Sequence, residues 1–127
     1  MPLKIAHTEK KPGCYEVTLA GRLDTETSAQ LQSLVAMLFQ NPPVRALQLH
    51  LRDVDYVSSA GLRAILLAMK QTRNGGGAFM VVEMQAPVKK VFEIAQMIPM
   101  NSIFASVKEA DDYFDTIQKR ERERSAG

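Results

Sequence analysis

The sequence predicts an α/β layered domain in which a mixed β-sheet of about five short strands is covered by about four α-helices. Two features carry that expectation. The spacing of apolar residues switches repeatedly between a period of two and a period near 3.6, and clusters of proline or glycine mark nearly every switch. Two strands come first with no helix between them, and helix and strand then alternate. The first pair is therefore expected to run antiparallel, and the strands joined through helices to run parallel.

Leu3 to His7 and Tyr15 to Ala20 read as the opening strands, joined through Lys11-Pro12-Gly13 as a hairpin at the edge of the sheet. From Thr25 to Gln40 the residues Leu31, Leu34, Val35 and Leu38 form one helical stripe, and Asn41-Pro42-Pro43 stops the helix. Leu47, Leu49 and Leu51 alternate with Gln48 and His50, which makes Arg45 to Leu51 a strand. Helical spacing returns from Leu62 to Lys70, with Leu62, Ile65, Leu66 and Met69 facing the core and Gly75-Gly76-Gly77 as the C-cap and turn. Ala78 to Val82 is an unbroken apolar run of the kind found in buried strands. Pro87 opens a third helix on the stripe Val88, Val91, Phe92 and Ala95, and Pro99 closes it. Ile103 to Ala105 is a last short strand; Ser106 and Glu109 then stand at capping-box spacing before the helical stripe of Ala110, Tyr113, Phe114 and Ile117. The domain is expected to span residues 1–117. Residues 118–127, with charges of alternating sign from Lys119 to Arg124 and no apolar anchor, read as a charged C-terminal tail.

Composition narrows the function. A chain of 127 residues is the size of one ordinary domain. A formal net charge of +2 gives little attraction to phosphate backbones or anionic lipid, so direct nucleic-acid binding is not expected. The longest apolar stretches, such as Leu34 to Phe39, fall far short of the roughly 20 residues that span a bilayer. Met1 to Lys11 holds no apolar core of the kind a secretory signal needs, which points to the cytoplasm. A lone Cys14 with His7 and His50 supplies no zinc set, and no Gly-x-Ser-x-Gly elbow or Walker glycine loop is present, so neither catalysis nor a cofactor is expected. Asp53 and Asp55 flank one residue near the end of a strand. Such a pair suits a metal or acid–base site, and equally a plain polar exit from a buried strand.

The informative segment runs from Asp53 to Arg63, where Ser58-Ser59-Ala60-Gly61 stands at the start of a helix. Serine is a favoured N-cap because its oxygen satisfies an orphan amide, so on local grounds the pair needs no other purpose. Ala60-Gly61 also allows something to approach the first turn closely. The stretch Tyr56 to Arg63, with Gly21-Arg22-Leu23-Asp24 before the first helix and Ala86-Pro87-Val88-Lys89-Lys90-Val91-Phe92 opening the third, resembles the STAS domain of bacterial anti-sigma factor antagonists. The likeness covers nearly the whole chain up to about Ile117. It implies the STAS fold and a non-enzymatic role. It also implies phosphorylation of the serine two positions before the motif glycine, here Ser59, by a GHKL-type serine kinase that doubles as the anti-sigma factor. ATP and Mg2+ would belong to that kinase, and a PP2C-type phosphatase would reset the serine. Two positions depart from the family pattern: Ser58 stands where the best-known members often have Asp, and Arg22 where they have Glu, which reverses the charge on the rim facing the partner.

With the apolar stripe of the second helix turned inward, Ala60, Ala64 and Leu67 are expected on the outside, flanked by Arg63, Lys70 and Gln71. Together with Asp24, Thr25, Ser58 and Gly61 they make the expected partner-binding surface. A second function keeps the fold and changes the class: an accessory subunit of a membrane transporter complex, in which Ser59 merely caps its helix.

Overall fold

The computed structural model describes residues 3–41, 43–95, 103–104, 106, 108–109, 112 and 114–116. The chain opens with β1 (Lys4–Lys11) and β2 (Cys14–Leu23), continues through α1 (Ser28–Leu38), β3 (Ala46–Val57), α2 (Ser59–Asn74), β4 (Ala78–Val82) and α3 (Ala86–Ala95), and reaches β5 (Ile103–Phe104). One five-stranded sheet has the order β1-β2-β3-β4-β5. β1 is antiparallel to β2, and β2, β3, β4 and β5 follow one another in parallel. The expected edge hairpin and the expected parallel crossovers are both present.

This order has a simple consequence. Each helix-linked step moves one strand further in the same direction, and right-handed crossovers then place α1, α2 and α3 on one face of the sheet. Strand alternation follows that division. Val17 and Leu19, Leu47, Leu49 and Leu51, and Phe79 and Val81 share the main core with Leu31, Val35, Leu38, Ile65, Leu66, Val88 and Phe92 from the helices. Cys14, Ala46, Met80 and Val82 form a separate small cluster, against which Phe114 packs. Lys108, Glu109, Asp112 and residues 114–116 are helical, and the Glu109 amide donates to Ser106 Oγ at 3.2 Å, the capping contact that the spacing predicts. The expected positions of Pro99, Ala105, Ala110, Tyr113, Ile117 and the tail 118–127 lie outside the described residues.

Beyond small shifts at element ends, β3, α1 and α3 differ from expectation. β3 continues past Leu51 to Val57, so Asp53 and Asp55 lie within the strand, both exposed. Its register against β2 shifts between Thr18 and Ala20 and again between Gly21 and Arg22. Val54 and Val57 turn inward three residues apart, so the alternation that marks a strand is lost there. α1 begins at Ser28 instead of Thr25, because the Asp24 carboxylate gathers the amides of Glu26 and Thr27 into a turn ahead of it. Val91, expected in the buried stripe of α3, is 37% exposed, while Val88 and Phe92, an i, i+4 pair, are buried.

Candidate functional site

β2 and β3 end side by side, with Leu23 opposite Val57, and the next residue of each carries the site. The Ser58 amide donates to the Leu23 carbonyl oxygen at 2.9 Å. Ser58 is in an extended conformation (φ −82°, ψ 174°), and its Oγ accepts from the Gly61 amide at 3.1 Å. That is an N-cap bond, the kind worth about 1 kcal/mol. Gly61 is buried against the same strand end, where a Cβ would stand 2.5 Å from the Leu23 carbonyl oxygen. The close approach that a glycine permits at this turn is made by the chain's own β2 exit. Ala60 beside it is half-buried.

Ser59 is the first residue of α2 and is exposed. The pair of serines thus divides its labour, with Ser58 capping the helix and Ser59 presenting a hydroxyl outside the fold. The structure also accounts for the departure at position 58, because serine and aspartate are comparable N-caps. Beside this step, Asp24 Oδ1 accepts from the Glu26 and Thr27 amides, each at 3.0 Å. Thr27 Oγ1 in turn donates to the Arg22 carbonyl at 2.7 Å and accepts from the Asp24 amide at 2.9 Å. The Thr27 amide above all holds the Asp24 carboxyl below the usual carboxylate range, helped by the Thr27 hydroxyl, the Glu26 amide and nearby Arg22. Asp24 is thereby engaged in building its own loop, whereas Thr25 at the loop tip is exposed. Sequence reasoning missed Thr27, although an Asp followed three residues later by Thr is a turn signal. Arg22 lies 4.2 Å over the ring of Tyr56, its cross-strand partner, and its Nε is 3.9 Å from Asp24 Oδ2.

Along α2 the exposed residues are Ser59, Arg63, Leu67, Lys70, Gln71, Arg73 and Asn74. Leu67 is 44% exposed, which is large for a leucine, but Ala64 is only 2% exposed and belongs to the main core. The expectation that Ala64 lines the outer strip is corrected here. α2 is packed on the sheet and beside α1, so its buried arc takes in Ala64 and Ala68 as well as the Leu62, Ile65, Leu66 and Met69 stripe. Elsewhere, His50 Nε2 lies 2.7 Å from Gln48 Oε1 and 3.7 Å from Glu16 Oε1 on the face opposite the leucines. Cys14 is buried and free. Burial pushes its thiol up, the opposite of what thiolate chemistry requires. Among the described residues, no group of three or more His, Cys, Asp or Glu is arranged to hold a metal, and no helix is long and apolar enough to cross a membrane.

The model of the STAS domain matches residues 6–110. A protein of Bordetella bronchiseptica, BtrV, named for a role as an anti-sigma factor antagonist, is 31% identical over 112 residues, covering 88% of this chain and 96% of that protein. This chain belongs to the STAS-domain family of anti-sigma factor antagonists. The STAS fold is shared with the Bacillus anti-sigma factor antagonist SpoIIAA. Its unphosphorylated form superposes with a TM-score of 0.77 at 17% identity, covering 89% of this chain and 97% of that one. The phosphorylated form gives 0.71 at 16% identity over 87% and 98%. A sulfate transporter family protein of Wolinella succinogenes has the same fold, with a TM-score of 0.73 at 12% identity over 88% of this chain and 93% of that one.

Proposed function

We propose that this STAS domain is a cytoplasmic, non-enzymatic switch: unphosphorylated, it binds a GHKL-type serine kinase that acts as an anti-sigma factor and so releases what the kinase holds. Phosphorylation of Ser59 ends that binding, and a PP2C-type phosphatase restores it. The observation that carries the reading is the exposed hydroxyl of Ser59 on the first turn of α2, with the capping role taken by Ser58. A kinase can reach that hydroxyl without opening the fold. The added phosphate would sit at the positive end of the helix dipole, so the architecture tolerates it.

Its effect falls on the partner. Phosphorylation adds about −1.5 to −2 charge at pH 7, in the middle of the surface made by Thr25, Ala60, Arg63 and Leu67. One like-charge contact at about 4 Å, with an effective dielectric near 20, opposes binding by about 4 kcal/mol, roughly a thousandfold in affinity. Incubation with its cognate kinase and ATP is expected to add one phosphate at Ser59, read by intact mass. Ser59→Ala should accept none and still bind, and Ser59→Asp should bind much more weakly. An aspartate variant that binds as tightly as the unmodified protein overturns the reading.

The likeness to a transporter family protein supports a second reading, an accessory subunit of a membrane transporter complex. It predicts a stably associated permease on affinity purification, with residue 59 unmodified in every growth state.

A further inference from the structure

The outer stripe of α2 has a charge pattern that its capping and packing do not use. Ser59, Arg63, Leu67 and Lys70 are stacked at helical spacing and all are exposed. α2 carries Arg63, Lys70 and Arg73 and no carboxylate, and neighbouring α1 carries no charged residue at all. Arg63 makes no ion pair with any described residue. It stands four positions after Ser59, a separation that brings Cβ atoms to about 5–6 Å on a helix surface. Helical side chains lean back toward the N-terminus, so Arg63 covers the turn on which Ser59 sits. An anion N-terminal to a cation at this spacing is the favourable order.

We propose that Arg63 receives the phosphate placed on Ser59, so that one modification both adds a dianion to the docking stripe and withdraws its nearest cation. The proposal rests on the reading of Ser59 as the phosphoacceptor and says how that site acts. In the unmodified form Arg63 faces outward beside Leu67, and the stripe fits a partner that offers carboxylates around an apolar socket. After modification the guanidinium forks onto phosphate oxygens, a geometry in which arginine surpasses lysine. The partner's carboxylates then lose an attraction and meet a negative charge together.

The test uses the full chain with phosphoserine installed at position 59 during synthesis, so no kinase is needed. The phosphate is titrated by 31P NMR around its ordinary second pKa near 6, in the unsubstituted chain and in Arg63→Gln and Arg63→Lys. The helix terminus acts equally in all three, so the difference between them isolates residue 63. Pairing predicts that the phosphate ionises about half a pH unit lower with arginine than with glutamine, about a threefold change in proton affinity, with lysine between them. The gap should close in 1 M salt, where the screening length is about 3 Å. Circular dichroism checks that all three proteins are equally folded. Superimposable titrations at low salt overturn the role of Arg63 and leave Ser59 as phosphoacceptor intact. Failure to find phosphate on Ser59 in cells removes the parent reading and leaves the titration result standing.

Discussion

The two sides of the first turns of α2 are built from alternating residues yet obey different rules. On the inner side, Ser58 and Gly61 are held against the end of β2: an amide on the Leu23 carbonyl, a cap bond between the two, and a glycine with no room for a Cβ. On the outer side, Ser59, Arg63 and Leu67 are exposed, and none of them is part of that network. The inner side fixes where the hydroxyl stands, and the outer side decides what meets it. Because the two sets interleave in sequence, a motif of adjacent residues such as Ser58-Ser59-Ala60-Gly61 mixes residues that hold the fold with residues that face outward. The comparison also separates two readouts, since inner substitutions should move stability and outer ones should move binding.

Leu67→Asp is the strongest test of the outer side. A charge at the centre of the proposed docking surface must be desolvated there, and the loss expected in affinity for the proposed anti-sigma partner is about a hundredfold or more. The melting temperature should stay nearly constant, because Leu67 is already 44% exposed. Calorimetric binding and thermal unfolding on the same preparation check both halves; a fall in both would merge the two sides into one structural unit. Gly61→Ala probes the inner side. The added methyl meets backbone rather than a movable side chain, so α2 must shift off β2 at a cost of about 1–3 kcal/mol. Thermal unfolding should register this as a drop of several degrees. If Gly61→Ala keeps its stability and loses binding, the glycine serves the partner and the division drawn above is wrong at that residue.

Much of the frame was legible in sequence because one periodicity dominated each segment. Leu47, Leu49 and Leu51 announced β3, and Leu62, Ile65, Leu66 and Met69 announced α2, since one face of each meets the core. The far half of β3 was illegible for a physical reason: the register shifts against β2 space Val54 and Val57 three apart, which imitates neither strand nor helix. Ala64 was misplaced because a helix wedged between a sheet and a neighbouring helix buries more than the stripe of large residues shows. At the site, the motif singles out Ser59, but nothing in the motif says that Ser58 is the one that caps the helix. Which of two adjacent serines caps depends on one backbone angle, the extended ψ of Ser58. The purpose of Gly61 was likewise hidden, because the atom that excludes a side chain there belongs to Leu23, 38 positions earlier in the chain.

The smallest effect is expected where the two sides meet, at Asp24. Its carboxylate accepts from the Glu26 and Thr27 amides, and those bonds favour its charged form, so its folded pKa lies below the unfolded value of 3.8. A depressed carboxylate contributes stability that is present above the unfolded pKa and is lost as pH falls through the folded one. Between neutral pH and about 4 the contribution should therefore be constant, and below about 4 it should decline. Asp24→Asn keeps an acceptor for the two amides and removes the titration. Its unfolding curves, recorded from pH 7 down to about pH 2, should lie slightly below those of the parent protein at neutral pH and converge with them in acid. Partner affinity at neutral pH should change little, because the carboxylate is spent on its own loop. A large loss of affinity in Asp24→Asn with unchanged stability would move Asp24 to the outer side and extend the docking surface across the β2 exit.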